Sequence, residues 1–270
     1  MQQWRSYQIY PLETQDVFLT RAMRPFLERY IWVTPGARAF FIRYDDQKGP
    51  HIRLRLRGEA PWLDETLRPA FSEWFAGRGE ITEAPYLPET QRFGGDEAMN
   101  RAEEHFHLSS RVVLDRMNRL YSYGDALFDA LRLHTITAFS AGWDRERSAW
   151  YFGQLCNQWM ELFFQPAESG DDAQGDWRAA LKAGFENSFT PQREDFRLAL
   201  SELWAALDKE KFDPAQPEWL RWLRGNQLIL PEFGPGLEKA LPSLIHLSNN
   251  RLGVNNQDEV YLNYLLSRVL

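Results

Sequence analysis

Residues 51–57, His51-Ile52-Arg53-Leu54-Arg55-Leu56-Arg57, alternate basic and aliphatic side chains without a break. Side chains of a strand point to opposite faces in turn, so as a β-strand this tract puts one histidine and three arginines on one face and three aliphatics on the other. The aliphatic face belongs against a core. The cationic face needs compensation, because a row of like charges repels unless anions or carboxylates lie opposite it. Arginine grips carboxylate or phosphate in a flat, bidentate fork. Arg53 and Arg55, two positions apart, are separated by about 6.6–7 Å along a strand. They can hold both ends of a short diacid or converge on one carboxylate. The alternative is an exposed basic strand paired with Glu and Asp from elsewhere in the chain. Arg57, beside Gly58, reads as solvated.

The pattern around this strand alternates extended and helical runs. Residues 4–10 read as a strand ended by Pro11, 14–30 as a helix, 39–44 as a second strand, and Lys48-Gly49-Pro50 as a hairpin-length link into the basic strand. Residues 61–75 carry Trp62, Leu63, Leu67, Phe71 and Trp74 at helical spacing, and 81–87 return as a fourth strand. The expectation is an α+β protein whose residues 1–95 form a ferredoxin-like β-α-β-β-α-β sheet with both helices on one face. His51, Arg53 and Arg55 then face the open side. Residues 96–270 read as a mostly helical lobe covering that side, with Asp96 as N-cap of its first helix and residues 165–176 as a mobile loop.

Composition narrows the function. A net charge of −7 argues against direct binding of nucleic acid, whose backbone wants a positive surface, and the basic strand is a local exception. No apolar run approaches the length of a membrane helix, and no signal-peptide stretch opens the chain. The single cysteine, Cys156, suits a reducing cytoplasm. No Walker or dinucleotide glycine motif and no nucleophile elbow is present, so no cofactor is expected. His105 and His107 point to different faces of a helix, which argues against a metal site.

Further candidates follow the fourth strand. Tyr86 to Gly95 form a turn-rich loop in which Gly94-Gly95 permit a positive-φ turn, so that Arg92 can reach the basic face, or else pair locally. His246 lies in an apolar helical run just before Asn249-Asn250-Arg251. It reads either as a satisfied core histidine or as a group suited to proton transfer near neutrality.

Taken together, Arg43-Tyr44-Asp45 before His51-Ile52-Arg53-Leu54-Arg55, then Tyr86, Pro88-Glu89 and Arg92-Phe93-Gly94-Gly95, then Glu104, Phe106 and Ser109, and finally His246 with Asn249-Asn250-Arg251-Leu252-Gly253, resemble the thiopeptide-type bacteriocin biosynthesis family. That family includes the C-terminal elimination domain of class I lanthipeptide dehydratases and stand-alone relatives in thiopeptide pathways. The resemblance runs from near the N-terminus to the end. It implies a lyase that expels glutamate from glutamylated Ser or Thr of a ribosomally made precursor peptide, leaving dehydroalanine or dehydrobutyrine. A separate protein would supply the ester from glutamyl-tRNA, since no glutamylation domain is recognisable here.

The resemblance places Arg53, Arg55 and Arg92 at the glutamyl group and His246 in acid/base work. His51, Arg43, Tyr86, Asn250 and Arg251 lie in the same motifs as substrate-binding candidates, and a homodimer is compatible with this reading. Two other functions remain open: a pyridine synthase that joins two dehydroalanines by formal [4+2] cycloaddition, and a non-catalytic peptide-binding module. Pyridine synthases of the family are expected to lose the arginine set, so its presence favours elimination.

Overall fold

The alternation of residues 51–57 folds as expected, into the third of four strands. The structure, a computed structural model, describes residues 2–117, 121–164 and 174–270. Much of the loop expected over residues 165–176 lies outside the described residues, and a helix is already in place at Gln174. The protein is α+β, and its contacts divide it into two units. One comprises residues 1–121 with 228–253, the other 122–227 with 254–270.

In the first unit, β1 (Gln2–Pro11), β2 (Arg38–Asp46), β3 (Gly49–Glu59) and β4 (Gly79–Glu83) form one sheet in the order β2-β3-β1-β4. Every pairing is antiparallel. The fourth strand is shorter than the expected 81–87. The link from β2 to β3 is also tighter than expected: Gly49 and Pro50 already belong to β3, and the Asp46 carboxylate accepts from the Lys48 N–H across the turn.

Helices α1 (residues 15–30) and α2 (residues 60–74) cover one face. Ile52, Leu54 and Leu56 point there and are fully buried, with Tyr7 of β1 stacked on Phe71 at 4.1 Å between centroids. Phe18, Phe26 and Phe75 complete the layer. Burying each such aromatic contributes about 1.5–3 kcal/mol. Both helices widen for one π turn, Leu19–Met23 and Leu63–Leu67, just before an Arg-Pro pair. A proline ring clashes with the carbonyl four residues back, and shifting the preceding bond to i→i−5 makes room for Pro25 and Pro69.

The other elements of this unit are α3 (Thr90–Phe93), α4 (Asp96–Arg116), a 3-10 helix (Leu230–Gly236) and α10 (Leu237–Leu252). Gly95 rather than Asp96 is the N-cap of α4. Gly94 at φ 101° and Gly95 at φ 118° give the left-handed joint between α3 and α4 that a side chain would strain.

Helices α4 and α10 protect the free edge of β2. His107 Nδ1 accepts from the Ala39 N–H at 3.1 Å, and Ser110 Oγ accepts from Phe41 N–H at 3.2 Å. Asn250 accepts from Arg43 N–H and donates to Arg43 O, both at 2.9 Å, as a neighbouring strand's amide would. Edge strands invite wrong pairing, and these three side chains close this one.

The second unit is helical: α5 (Tyr123–Ser140), α6 (Arg145–Phe163), α7 (Gln174–Phe189), α8 (Arg193–Asp208), α9 (Pro217–Ile229) and α11 (Asn256–Val269). Ser122 and Asp125 form a capping box on α5, and Trp222 Nε1 donates to Leu133 O in its core. Phe128, Phe196, Leu200 and Trp219 line a cleft of about 510 Å³. Among the described residues, no helix is long and apolar enough to cross a membrane.

Removing the Asn250 amide leaves a strand donor and acceptor unpaired, so Asn250→Ala should lower the unfolding free energy by about 1–3 kcal/mol in urea titrations. Burial lowers His107 from 6.5 to about 4. The folded state therefore binds fewer protons than the unfolded chain between those values. Stability should fall as pH drops from about 6.5 to about 4, and His107→Gln should flatten that part of the pH profile.

Candidate active site on the arginine face

The register decides what surrounds the arginines. On their face, Arg57, Arg55 and Arg53 lie opposite Trp4, Ser6 and Gln8 of β1, and opposite Arg38, Phe40 and Ile42 of β2. Rings separate the charges. The Arg53 guanidinium carbon lies 3.4 Å from the centroid of Tyr44. That of Arg55 is 5.4 Å from Phe40 and 5.1 Å from Tyr86, and that of Arg57 is 5.9 Å from Trp4. Two guanidinium groups about 7 Å apart repel by about 2 kcal/mol at an effective dielectric of about 20. Each ring contact returns about 0.5–2 kcal/mol. The rings therefore roughly offset the repulsion without neutralising the charge.

His51 adds an acceptor to this row. Its ring is completely buried, with centroids 4.5 Å from Tyr10 and 5.3 Å from Tyr44. Nδ1 lies 3.2 Å from Gly49 O and Nε2 lies 3.3 Å from Arg53 Nε. The tautomer with its proton on Nδ1 satisfies both: it donates to Gly49 and accepts from Arg53. His51 thus orients Arg53.

Among the described residues, no carboxylate forms an ion pair with Arg53, Arg55 or Arg251. Arg55 is the more deeply set of the first two. Its Nε is buried without a hydrogen-bond partner, and burial holds the guanidinium below its ordinary value, with Arg53 acting in the same direction. Arg57 differs, since Glu103 of α4 lies 3.9 Å from it. Burial raises Glu103, against the pull of Tyr86, Arg57 and Trp4. Burial also raises the Tyr86 hydroxyl, and Glu103 raises it further.

The remaining candidates are on α3, α10 and β2. Arg92 of α3 donates from Nε to Ser243 Oγ at 2.7 Å and from Nη1 to Glu89 at 2.9 Å. His246 is half-buried on α10. Residues 243, 246 and 250 share one stripe of that helix, which aligns His246 with the serine that holds Arg92 and the asparagine that caps β2.

Arg251 is fully buried. It donates to Ser110 Oγ at 3.0 Å and to Leu247 O at 2.7 Å, lies over Phe106, and is lowered to about 9 by burial and then by Arg55. Arg43 points to the helix-covered face, where it donates to Arg251 O at 2.9 Å and to Asp16 at 2.6 Å. The structure thus gathers His51, Arg53, Arg55 and Tyr86 on one surface and links Arg92 to the helix of His246. It uses Arg43, Asn250 and Arg251 where α10 meets the sheet.

Sequence reasoning missed Glu103, Ser243 and the rings of Trp4, Phe40 and Tyr44. The rings were detectable in principle, because Trp4, Phe40 and Tyr44 each keep the two-residue phase of the arginine face. Glu103 and Ser243 carry no local signal.

The profile of the family described as lantibiotic biosynthesis dehydratase C-terminal matches residues 4–270. The chain belongs to that family. Solved structures with the same fold include three relatives of low identity. MibB, a tRNA-dependent lantibiotic dehydratase from Microbispora sp. 107891, superposes at a TM-score of 0.69 with 18% identity. That match covers 98% of this chain and 28% of MibB, so the chain spans little more than a quarter of that protein's length. TbtD, the pyridine synthase from thiomuracin biosynthesis, gives 0.72 and 16% over 98% of this chain and 96% of its own. TsrL gives 0.69 and 17% over 100% and 94%. No curated protein is similar enough in sequence to match. The family match carries the assignment, and the three solved structures show that the fold is shared.

Cations without carboxylate partners bind small dianions, and a ligand at about 100 times its dissociation constant stabilises the folded state by about 2.7 kcal/mol. Succinate should therefore raise the melting temperature more than sodium chloride of equal ionic strength, and Arg53→Met with Arg55→Met should remove the difference.

Proposed function

We propose that this member of the dehydratase C-terminal family is a glutamate-eliminating lyase acting on glutamylated Ser or Thr of a ribosomally made precursor peptide. The observation that carries this reading is the Arg53–Arg55 pair, held among aromatic rings on one face with no carboxylate partner among the described residues. A glutamyl ester offers such a pair one free carboxylate, and a second develops nearby as the Cβ–O bond breaks.

In the reaction, a base removes the Cα proton of the esterified residue. The electron pair becomes the Cα–Cβ double bond, the Cβ–O bond breaks, and glutamate leaves as a carboxylate. Serine gives dehydroalanine and threonine dehydrobutyrine. Negative charge develops on the leaving carboxylate and on the peptide carbonyl beside Cα, and preorganised cations stabilise it without rearrangement.

Arg53 and Arg55 bind the glutamyl group at its free carboxylate, with His51 and Tyr86 orienting them. Arg92 stabilises the leaving carboxylate or the enolate oxygen, and His246 transfers the proton. The stripe that His246 shares with Ser243, the partner of Arg92, supports this pairing of roles. Arg43, Asn250 and Arg251 hold the frame against which the substrate binds. A separate glutamylation protein supplies the ester, taking glutamate from glutamyl-tRNA.

We further propose that the sheet is of the ferredoxin-like kind. Its support is the succession strand, helix, two hairpin strands, helix, strand, with β1 and β3 central.

A second reading, [4+2] pyridine synthase, has one observation in its favour: the match to TbtD covers nearly the whole of both chains. Incubation with a glutamylated peptide and with a peptide bearing two dehydroalanines separates the two. Elimination yields free glutamate and a peptide one water lighter than its unmodified form, whereas an unchanged glutamylated mass overturns the lyase. His246→Ala should slow elimination by about 10²–10⁴. Alanine at Arg53, Arg55 or Arg92 removes a charge-assisted contact worth about 1.5–3 kcal/mol and should let glutamylated peptide accumulate.

A further inference from the structure

We propose that Asp46 is a positioning residue for Arg53, acting through His51: it holds the turn carbonyl and the tyrosine ring that fix the imidazole on which Arg53 rests. The inference rests on the lyase reading for its kinetic consequence only. Its structural content stands on the contacts among Tyr10, Tyr44, Asp46, Gly49, His51 and Arg53.

Asp46 ends β2 and Gly49 opens β3 opposite it, with Gln47 and Lys48 turning the chain between them. An aspartate that accepts from the amide two residues on closes a turn with its own side chain. Asp46 Oδ1 does so, accepting from Lys48 N–H at 2.9 Å. Gly49 follows at φ 113°, in the left-handed region, and its carbonyl oxygen lies 3.2 Å from His51 Nδ1. The other carboxylate oxygen, Oδ2, accepts from the Tyr10 hydroxyl at 3.0 Å and lies 3.7 Å from the same Nδ1. The Tyr10 ring then packs on the imidazole, with centroids 4.5 Å apart and planes inclined by 32°. One exposed carboxylate thus gathers a carbonyl and a ring around a completely buried histidine.

A single proton arrangement suits this surround. Two oxygens face Nδ1, and the Nε–H of Arg53 faces Nε2 at 3.3 Å. With its proton on Nε2, the ring would set donor against donor at Arg53 and acceptor against acceptor at Gly49. Arg53 is then held at two places: its edge by His51, and its face by the Tyr44 ring, 3.4 Å from the guanidinium carbon to the centroid. An edge and a face together fix the guanidinium plane. With Nε engaged, both Nη nitrogens remain, and among the described residues neither has a hydrogen-bond partner. Such a pair can grip a carboxylate with two parallel bonds.

The experiment compares Asp46→Ala, Asp46→Asn, Tyr10→Phe, Arg53→Met and the Asp46→Ala/Arg53→Met double variant with the parent chain on a glutamylated peptide. Asp46→Ala should raise KM about fivefold, with kcat changed far less. Asparagine keeps an acceptor for Lys48 N–H and a partner for the Tyr10 hydroxyl, and should recover most of the lost affinity. The double variant should be no worse than Arg53→Met, because Asp46 acts through that arginine. Additive losses, or an unchanged KM in Asp46→Ala, overturn the proposal.

A readout without turnover keeps it separate from the lyase reading. In protein labelled with ¹⁵N-histidine, the His51 signals, assigned by their loss in His51→Gln, should show the proton on Nδ1 in the parent chain and in Asp46→Asn. In Asp46→Ala they should shift toward a mixture of the two tautomers. A proton on Nε2 in the parent, or parent-like signals in Asp46→Ala, overturn the role. If the parent chain eliminates nothing, the lyase reading fails and these signals still decide the role of Asp46. If Asp46→Ala does not fold, Tyr10→Phe carries the comparison, since it keeps the ring and frees the carboxylate, and unaltered His51 signals there overturn the role.

Discussion

The register of β3 between β1 and β2 is the constraint on which the rest of the first unit depends. A slip of one residue would send Ile52, Leu54 and Leu56 to the polar side and bury three arginines under α1 and α2. The aliphatic residues decide the register because they are fully buried, and the arginines inherit their positions from it. The same register sets Phe40 and Tyr44 beside Arg55 and Arg53, and Trp4 beside Arg57. One hydrophobic preference therefore builds both the core layer and the cationic surface on its reverse.

Much of this was legible because it is local. Alternation over seven residues identified the strand and its two faces, and the order of extended and helical runs placed it inside a sheet. The positive-φ joint at Gly94-Gly95 was equally plain, since only glycine enters that conformation freely. What remained hidden depends on residues distant in sequence. Sequence order assigns α4 and α10 to a lobe of their own, yet both pack with the sheet, and their side chains His107, Ser110 and Asn250 close its edge. A strand edge needs donors and acceptors at alternate backbone positions, and several residue types from any nearby helix can supply them. No short pattern announces which will.

The compensation of the arginine row involves more than charge arithmetic. Charge arithmetic alone calls for anions opposite the cations, yet among the described residues the arginines meet π faces, with a carboxylate, Glu103, only at Arg57. The two solutions differ in consequence. A carboxylate neutralises an arginine and occupies its donors, whereas a ring stabilises the cation from one side and leaves its N–H edge free. Aromatic compensation keeps a cation both tolerable and available.

Arg251 shows how far this arrangement departs from what stability alone would select. It is completely buried, its charge is opposed by burial and by Arg55, and its partners are a serine hydroxyl, a carbonyl and the face of Phe106. Replacing a buried charge of this kind by an apolar side chain is often neutral or stabilising. A second cation near Arg55 nevertheless has an effect that no apolar residue can reproduce, because its charge adds to the positive potential around Arg55. The positive field on that face then belongs to the whole cluster and not to Arg53 and Arg55 alone. Arg57, half-buried at the end of the row, adds less to that field, because the Glu103 carboxylate lies 3.9 Å from it.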